Sequence, residues 1–180
     1  MTTQPPLSSE CREWALTANY TLTEDDDGTA VFRSETDPSA RYFIRRRGPG
    51  RLELTQSDDD GERPLLFVAQ LEVLERYLLG LFADDLRDDL ELPYLTLPFT
   101  AEALAPGFEL TDMVRGYRTL IRTGHGPVAA APDPTLSLVA LVPLSHLLLW
   151  PAEAVRAAFL HETGFPLMSE GRFSAPPAHF

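Results

Sequence analysis

The hydrophobic period of this chain changes at residue 70, and that change limits the possible folds more than any other feature. From Tyr20 to Val68 apolar residues recur in short runs with the two-residue alternation of strands: 20–23, 29–33, 41–45, 51–55 and 65–68. Each gap holds a turn signal: Glu24-Asp-Asp-Asp-Gly28, Asp37-Pro-Ser39, Gly48-Pro-Gly50 and Asp58-Asp-Asp-Gly61. Glycine reaches positive φ freely, proline presets φ, and aspartate hydrogen-bonds its own turn. Short alternating runs joined this way predict an antiparallel meander. Beyond residue 70, Leu71, Leu74, Tyr77, Leu78, Leu81, Phe82 and Leu86 fall at helical spacing and form one apolar stripe over 70–88. The stripe predicts a long helix lying on one face of the meander.

The flanks add elements without changing the class. Ser8 or Ser9 can cap a first helix running to Ala18, with Cys11, Trp14, Ala15 and Ala18 on one face. Pro93 closes the long helix region. Residues 94–97 read as a strand, 101–104 as a helical turn, and 117–122 and 128–131 as two more strands. The run Leu136-Ser-Leu-Val-Ala-Leu-Val142 reads as the most strand-like segment of all. Pro151 fits the first position of a last helix to His161, with Gly164 as its C-cap. The order predicts an α+β fold, an antiparallel meander sheet packed by a long central helix with N- and C-terminal helices. At 180 residues, one domain over 8–173 is expected, with Pro-rich loose ends at 1–7 and 174–180.

Composition narrows the function classes. Fifteen basic against 27 acidic residues give a net charge of −12, and every basic residue is arginine, which reads as a codon bias. Binding a phosphate backbone needs clustered cations, so nucleic acid is not the expected partner. An acidic surface suits a basic protein partner instead. The single cysteine, Cys11, allows no internal disulfide. The N-terminus has no basic and apolar leader, and the greasy stretch 136–150 is broken by Pro143, Ser145 and His146 and is too short to span a bilayer. A cytoplasmic chain with no membrane contact is expected.

Candidate chemistry is sparse. His125, His146, His161 and His179 lack metal-ligand spacing, so no metal or other cofactor is expected. Ser145 and His146 are adjacent, which points their side chains apart in a strand or a helix and disfavours a nucleophile–base pair; Ser145 reads instead as a cap on a turn after the strand. Without lysine there is no phosphate loop. Asp84, Asp85, Asp88 and Asp89 crowd a helix C-terminus, where the dipole disfavours anions, so a cation from Arg87 or from a partner is expected to meet them.

The meander permits one sharper inference. Successive turns alternate between the ends of an up-and-down sheet. Turns 24–28 and 47–50 share one end, where Glu24 to Asp27 meet Arg45, Arg46, Arg47 and Arg51 and charges largely cancel. Turns 35–39 and 57–61 share the other, which gathers Glu35, Asp37, Asp58, Asp59, Asp60 and Glu62 with Arg63 and Arg33 nearby. That end reads as a negative knob for docking a partner; the alternative is that aspartates are simply good turn formers that keep the surface solvated.

Several segments carry a family resemblance: Glu13-Trp14-Ala-Leu-Thr-Ala-Asn19-Tyr20, Leu74-Glu-Arg-Tyr77-Leu-Leu-Gly80-Leu-Phe82 into Leu86-Arg87, Leu92-Pro93, Leu144-Ser145 and Thr163-Gly-Phe-Pro-Leu167. They resemble the actinobacterial immunity proteins of the tuberculosis-necrotizing-toxin immunity-factor type, although Ala83 stands where a glycine is expected. The resemblance implies an α+β, non-catalytic inhibitor. Such a protein binds a cognate secreted toxin in the producing cell's cytoplasm and occludes its active site; the toxin is often an NAD-degrading glycohydrolase with a basic cleft. It implies a monomer that forms a 1:1 heterodimer. Trp14 and Tyr77 are then fold-defining core residues. The expected partner-binding residues are Glu35, Asp37, Asp58, Asp59 and Asp60, and secondarily Arg45, Arg46 and Arg47 beside Gly48 and Gly50. Two other classes remain open: a cytoplasmic secretion chaperone or adaptor that uses an apolar groove, and a small hydrolase that uses Ser145 or His146.

Overall fold

Turn chemistry and the period-two pattern place five strands in sequence and space alike. The computed structural model describes residues 6–178. Its elements are α1 (Ser9–Thr17), β1 (Tyr20–Glu24), β2 (Ala30–Ser34), β3 (Arg41–Arg46), β4 (Leu52–Asp58), β5 (Gly61–Val68), α2 (Leu71–Asp89), a 3-10 turn (Ala101–Ala103), β6 (Phe108–Leu110), β7 (Tyr117–Arg122), β8 (Gly126–Pro132), α3 (Leu136–Leu147), α4 (Ala152–Leu160), β9 (Met168–Ser169) and β10 (Arg172–Phe173). An eight-stranded sheet runs β1-β2-β3-β4-β5-β8-β7-β6, antiparallel throughout, and β9 pairs with β10 apart from it. The fold is α+β, as the sequence predicts.

Register assigns the two faces. Ala30, Ile44, Leu54 and Leu66 face one another across four strands, and Leu22, Phe32 and Tyr42 form the next row. These belong to the core that the helices share. Phe82 of α2 sits at its centre, 4.5 Å from the Tyr20 ring and 5.2 Å from Phe32. Burying side chains of this size contributes about 1.5–3 kcal/mol each, which is why the stripe predicted over 70–88 becomes a helix on the sheet. The other face carries Thr23, Phe43, Arg45, Glu53, Thr55 and Phe67 outside that core. The meander joins β8 through two register pairs, Phe67 with Ala130 and Val68 with Ala129.

The N-terminal helix is fixed by its cap. Ser8 Oγ accepts from the Cys11 amide at 3.2 Å and donates to Glu75 of α2 at 3.1 Å. Trp14 donates from its indole to the Leu79 carbonyl at 3.1 Å, so α1 is tied to α2 by polar as well as apolar contact. Gly80 lets α2 approach its neighbours, because a Cβ there would lie 3.3 Å from Leu147 and 3.8 Å from Phe159. Ala83, where the resemblance expects glycine, is buried in the middle of α2, which continues to Asp89.

Four expectations need correction. The run 136–142 is helix, not strand. A continuous apolar run does not distinguish a buried strand from a buried helix. The signal lies just upstream, where the Asp133 carboxylate accepts from the amides of Thr135 at 2.8 Å and Leu136 at 2.9 Å, and Pro134 occupies the opening turn. Ser145 therefore lies inside α3, not after a strand. Residues 94–97 form no strand, and the short β6 replaces them as the partner of β7. Leu7, placed with the loose N-terminal residues, is buried in the core, and the Ser174 amide donates to Leu167 at 2.8 Å. Residues 1–5 and 179–180, and with them His179, lie outside the described residues.

One buried cation locks the helices together. The Arg87 residue is 2% exposed and spends five donor contacts on four backbone carbonyls: Pro93 (3.0 and 2.6 Å), Phe159 (2.7 Å), His161 (2.8 Å) and Glu162 (2.8 Å). Three of those carbonyls close α4, where a cation also complements the helix dipole. Among the described residues no single helix is long and apolar enough to cross a membrane; α3 and α4, which follow one another closely, meet at 115°.

Candidate partner-binding surfaces

The up-and-down order puts the β2–β3 and β4–β5 turns at the same end of the sheet, as the alternation of turns requires. Glu35 accepts from Thr21 Oγ1 at 3.1 Å, and Asp37 accepts from the Ser39 amide at 3.0 Å and its hydroxyl at 2.7 Å. The Ser39 hydroxyl and amide hold the Asp37 carboxyl below its ordinary pKa. Asp58 accepts from the Asp60 amide at 3.0 Å and lies 4.0 Å from Arg63. Asp59 and Asp60 project into solvent. Asp37 and Asp58 are thus held by their own turns and Glu35 by β1, and Glu35, Asp37, Asp59 and Asp60 are exposed to solvent. Arg41, at the start of β3, is exposed at this same end and adds a cation that the sequence expectation lacks.

The arginines distribute differently from the sequence expectation. Arg45 and Arg47 place their ion pairs elsewhere than on the acids of the 24–28 turn, although Arg45, after the Thr29 hydrogen bonds, helps hold the Asp27 carboxyl below its ordinary value. Arg45 crosses the open face to Glu62, which also accepts from Thr55 at 2.7 Å, and its guanidinium lies 4.7 Å from the centre of the Phe43 ring. Arg45 and Thr55 hold the Glu62 carboxyl below its ordinary value, so Glu62 belongs to this pair and not to the acidic end. Arg47 pairs with Glu53, and Asp25 of the first turn lies 3.9 Å from Arg33. Arg46 is exposed beside them at the end of β3. Cross-strand register explains the change: Arg45 stands opposite Glu53 and diagonal to Thr55, closer than any turn residue.

The residues weighed for catalysis are engaged structurally. Ser145 Oγ donates to Val142 O at 2.6 Å and accepts from the Ala105 amide at 3.1 Å. His146 Nε2 lies 2.7 Å from Ala103 O, and its ring stacks on Phe173 at 3.8 Å. Burial lowers the His146 pKa, against the opposing effect of the Ala103 carbonyl. Burial pushes the Cys11 thiol up to about 12, which makes it a small core hydrophobe. Among the described residues no group of three or more His, Cys, Asp or Glu is placed to hold a metal ion.

The acidic run of α2 splits in two. Tyr20 donates to Asp85 at 2.6 Å and Asn19 donates to Asp89, so two of the four aspartates fasten the start of β1 and the turn before it to the helix. Arg87 turns away from all four into its carbonyl cage. Asp84 and Asp88 have no hydrogen bond or ion pair among the described residues.

Comparison with known proteins converges on one family. The family model for immunity protein 61 matches residues 14–167. The chain belongs to the immunity protein 61 family. A curated relative from Mycobacterium tuberculosis, named immunity factor for TNT, is 30% identical over 177 residues, which is 94% of this chain and 96% of the relative. A homolog from Mycobacterium bovis matches to the same extent. The solved structure of Rv3902c from M. tuberculosis superposes with a TM-score of 0.78 at 28% identity, over 89% of this chain and 92% of that one. An immunity-protein role follows, with a toxin as cognate partner. Within this immunity protein 61 chain Trp14 is buried core, as the resemblance implies, whereas Tyr77 is only half-buried.

Proposed function

We propose that this protein is a non-catalytic inhibitor that binds its cognate toxin in the cytoplasm of the producing cell and occludes the toxin's active site as a 1:1 complex. The observation that carries the docking surface is the gathering of Glu35, Asp37, Asp58, Asp59 and Asp60 at one end of the sheet, with Asp37 and Asp58 held by their own turns and Glu35 by Thr21. A toxin that binds an anionic substrate, such as an NAD-degrading glycohydrolase, offers a positive cleft that such an end can enter. Opposite fields speed association and set the register of docking. The Arg45–Arg47 segment on the adjoining open face is a secondary contact.

The test is simultaneous substitution of Asp58, Asp59 and Asp60 by alanine. Affinity for the toxin is expected to fall, with a shallower salt dependence and an unchanged melting temperature. Unchanged affinity and salt dependence would remove this surface from the interface. Metabolite turnover by the purified protein alone would overturn the non-catalytic reading. A chaperone reading is favoured by one feature, an apolar groove beside α2; it predicts capture of the toxin's export region rather than its toxic domain.

A further inference from the structure

The groove lies between α2 and α3. It is a cavity of about 270 Å³ roofed by residues 94–99, and a smaller one of about 120 Å³ adjoins it toward β5. Tyr77, Val139 and Ala140 line both, so the two form one continuous trough. Its rim gathers exposed apolar side chains: Tyr94 is 75% exposed, Leu136 51%, Val139 45% and Phe99 43%. A contiguous patch of large apolar residues on a chain with this much charge marks an interaction site.

Two polar groups in the trough lack partners. The Tyr77 hydroxyl makes no hydrogen bond among the described residues, and burial raises its pKa to about 12. Tyr77 is half-buried and its hydroxyl still reaches solvent, so it is open to an incoming acceptor. Asp84 lines the same trough one α2 turn beyond Gly80 and is exposed at its edge; desolvation and the neighbouring Asp85 raise its carboxyl, against the opposing charge of Arg87. The nearest cation, Arg87, has committed its donors to carbonyls. Arg63 stands at the opposite end of the trough, beside Asp58.

We infer that this trough is a second docking site for the toxin: it receives an apolar segment of the toxic domain that brings an arginine or lysine to Asp84 and a hydrogen-bond acceptor to Tyr77. The inference rests on the reading that the protein binds a toxin, and it adds an apolar anchor to the acidic end. A second copy of the chain is a poor occupant, since it carries the same −12 charge.

The experiment titrates the isolated toxic domain of the cognate toxin into the wild-type protein and into Val139→Arg, Asp84→Asn and Tyr77→Phe, each checked by thermal melting. Val139 is surface-exposed and the Tyr77 hydroxyl is unbonded, so these variants are expected to fold. Val139→Arg is expected to weaken binding about 100-fold by placing a cation against the incoming one, and Asp84→Asn about tenfold with a flatter salt dependence. Tyr77→Phe is expected to weaken it several-fold. Wild-type affinity in all three overturns the inference; if the Asp58–Asp60 substitutions weaken binding in that case, the toxin-binding reading stands without it. No binding by the wild type overturns both. Variants that alter self-association in sedimentation while leaving toxin affinity intact assign the trough to a homodimer and overturn the inference.

Discussion

The two faces of the sheet handle arginine in opposite ways. On the covered face Arg87 is buried and meets no carboxylate at hydrogen-bond distance; four backbone carbonyls take its donors. On the open face Arg45 keeps a partly hydrated side chain, 23% exposed, and pairs with a carboxylate, Glu62. A buried guanidinium is costly unless its donors are satisfied, and carbonyls at a helix end supply both acceptors and a negative field. A surface ion pair in water gains little and stays available to other partners. The covered face uses charge to fasten the fold, and the open face keeps its charge in part-exposed pairs.

Arg87→Leu tests the contrast hardest. It strips several carbonyls of their donors at the junction of α2 and α4, and a loss of about 3–5 kcal/mol in unfolding free energy by denaturant melts is expected. Arg87→Lys restores charge but not the five-donor fork, so it is expected to recover only part of this.

The next effect lies beside that junction. Gly164 has φ +77, and a Cβ there would sit 2.9 Å from Leu95. Gly164→Ala is expected to lose about 2 kcal/mol by the same measurement, from backbone strain and a clash with the 94–99 roof. On the open face Arg45→Ala is expected to lose no more than about 1 kcal/mol. A loss as large as that of Arg87→Leu would erase the distinction between the faces.

The smallest effect concerns pH. His146 has a folded pKa below its unfolded value, so its contribution to stability is complete above about pH 6.5. As pH falls through that value the unfolded imidazole binds its proton first, and stability declines until the folded form is protonated too. Melting temperatures from pH 8 to pH 5 are expected to fall more steeply for the wild type than for His146→Gln.

Residues 20–68 and 133–150 show where a sequence is legible. In the meander each turn is specified by residues within it, and each strand alternates, so the order of strands and the sharing of ends were readable locally. The apolar run of α3 carries no alternation in either period. Its helical state is set by the Asp133 carboxylate reaching two amides and by burial of Ala140 to Leu147, and the Asp133-Pro134 signal was the one local clue. The acidic turn residues were readable as a group for the same reason as the turns. The fate of Arg45 was not, because Glu62 is 17 residues away and comes within reach only through the register of β3, β4 and β5.

The α+β class, the antiparallel meander, the helix over it and the clustering of acids at one end all follow from local periodicity and turn chemistry. Tertiary structure alone decided which charges stay free. It sent Arg87 into a cage of carbonyls, bound Asp85 and Asp89 to β1, and left Asp84 and the Tyr77 hydroxyl unmatched in an apolar trough. A charge is spoken for only when a partner lies within a few ångströms, and across this chain such distances are set by packing between segments far apart in sequence.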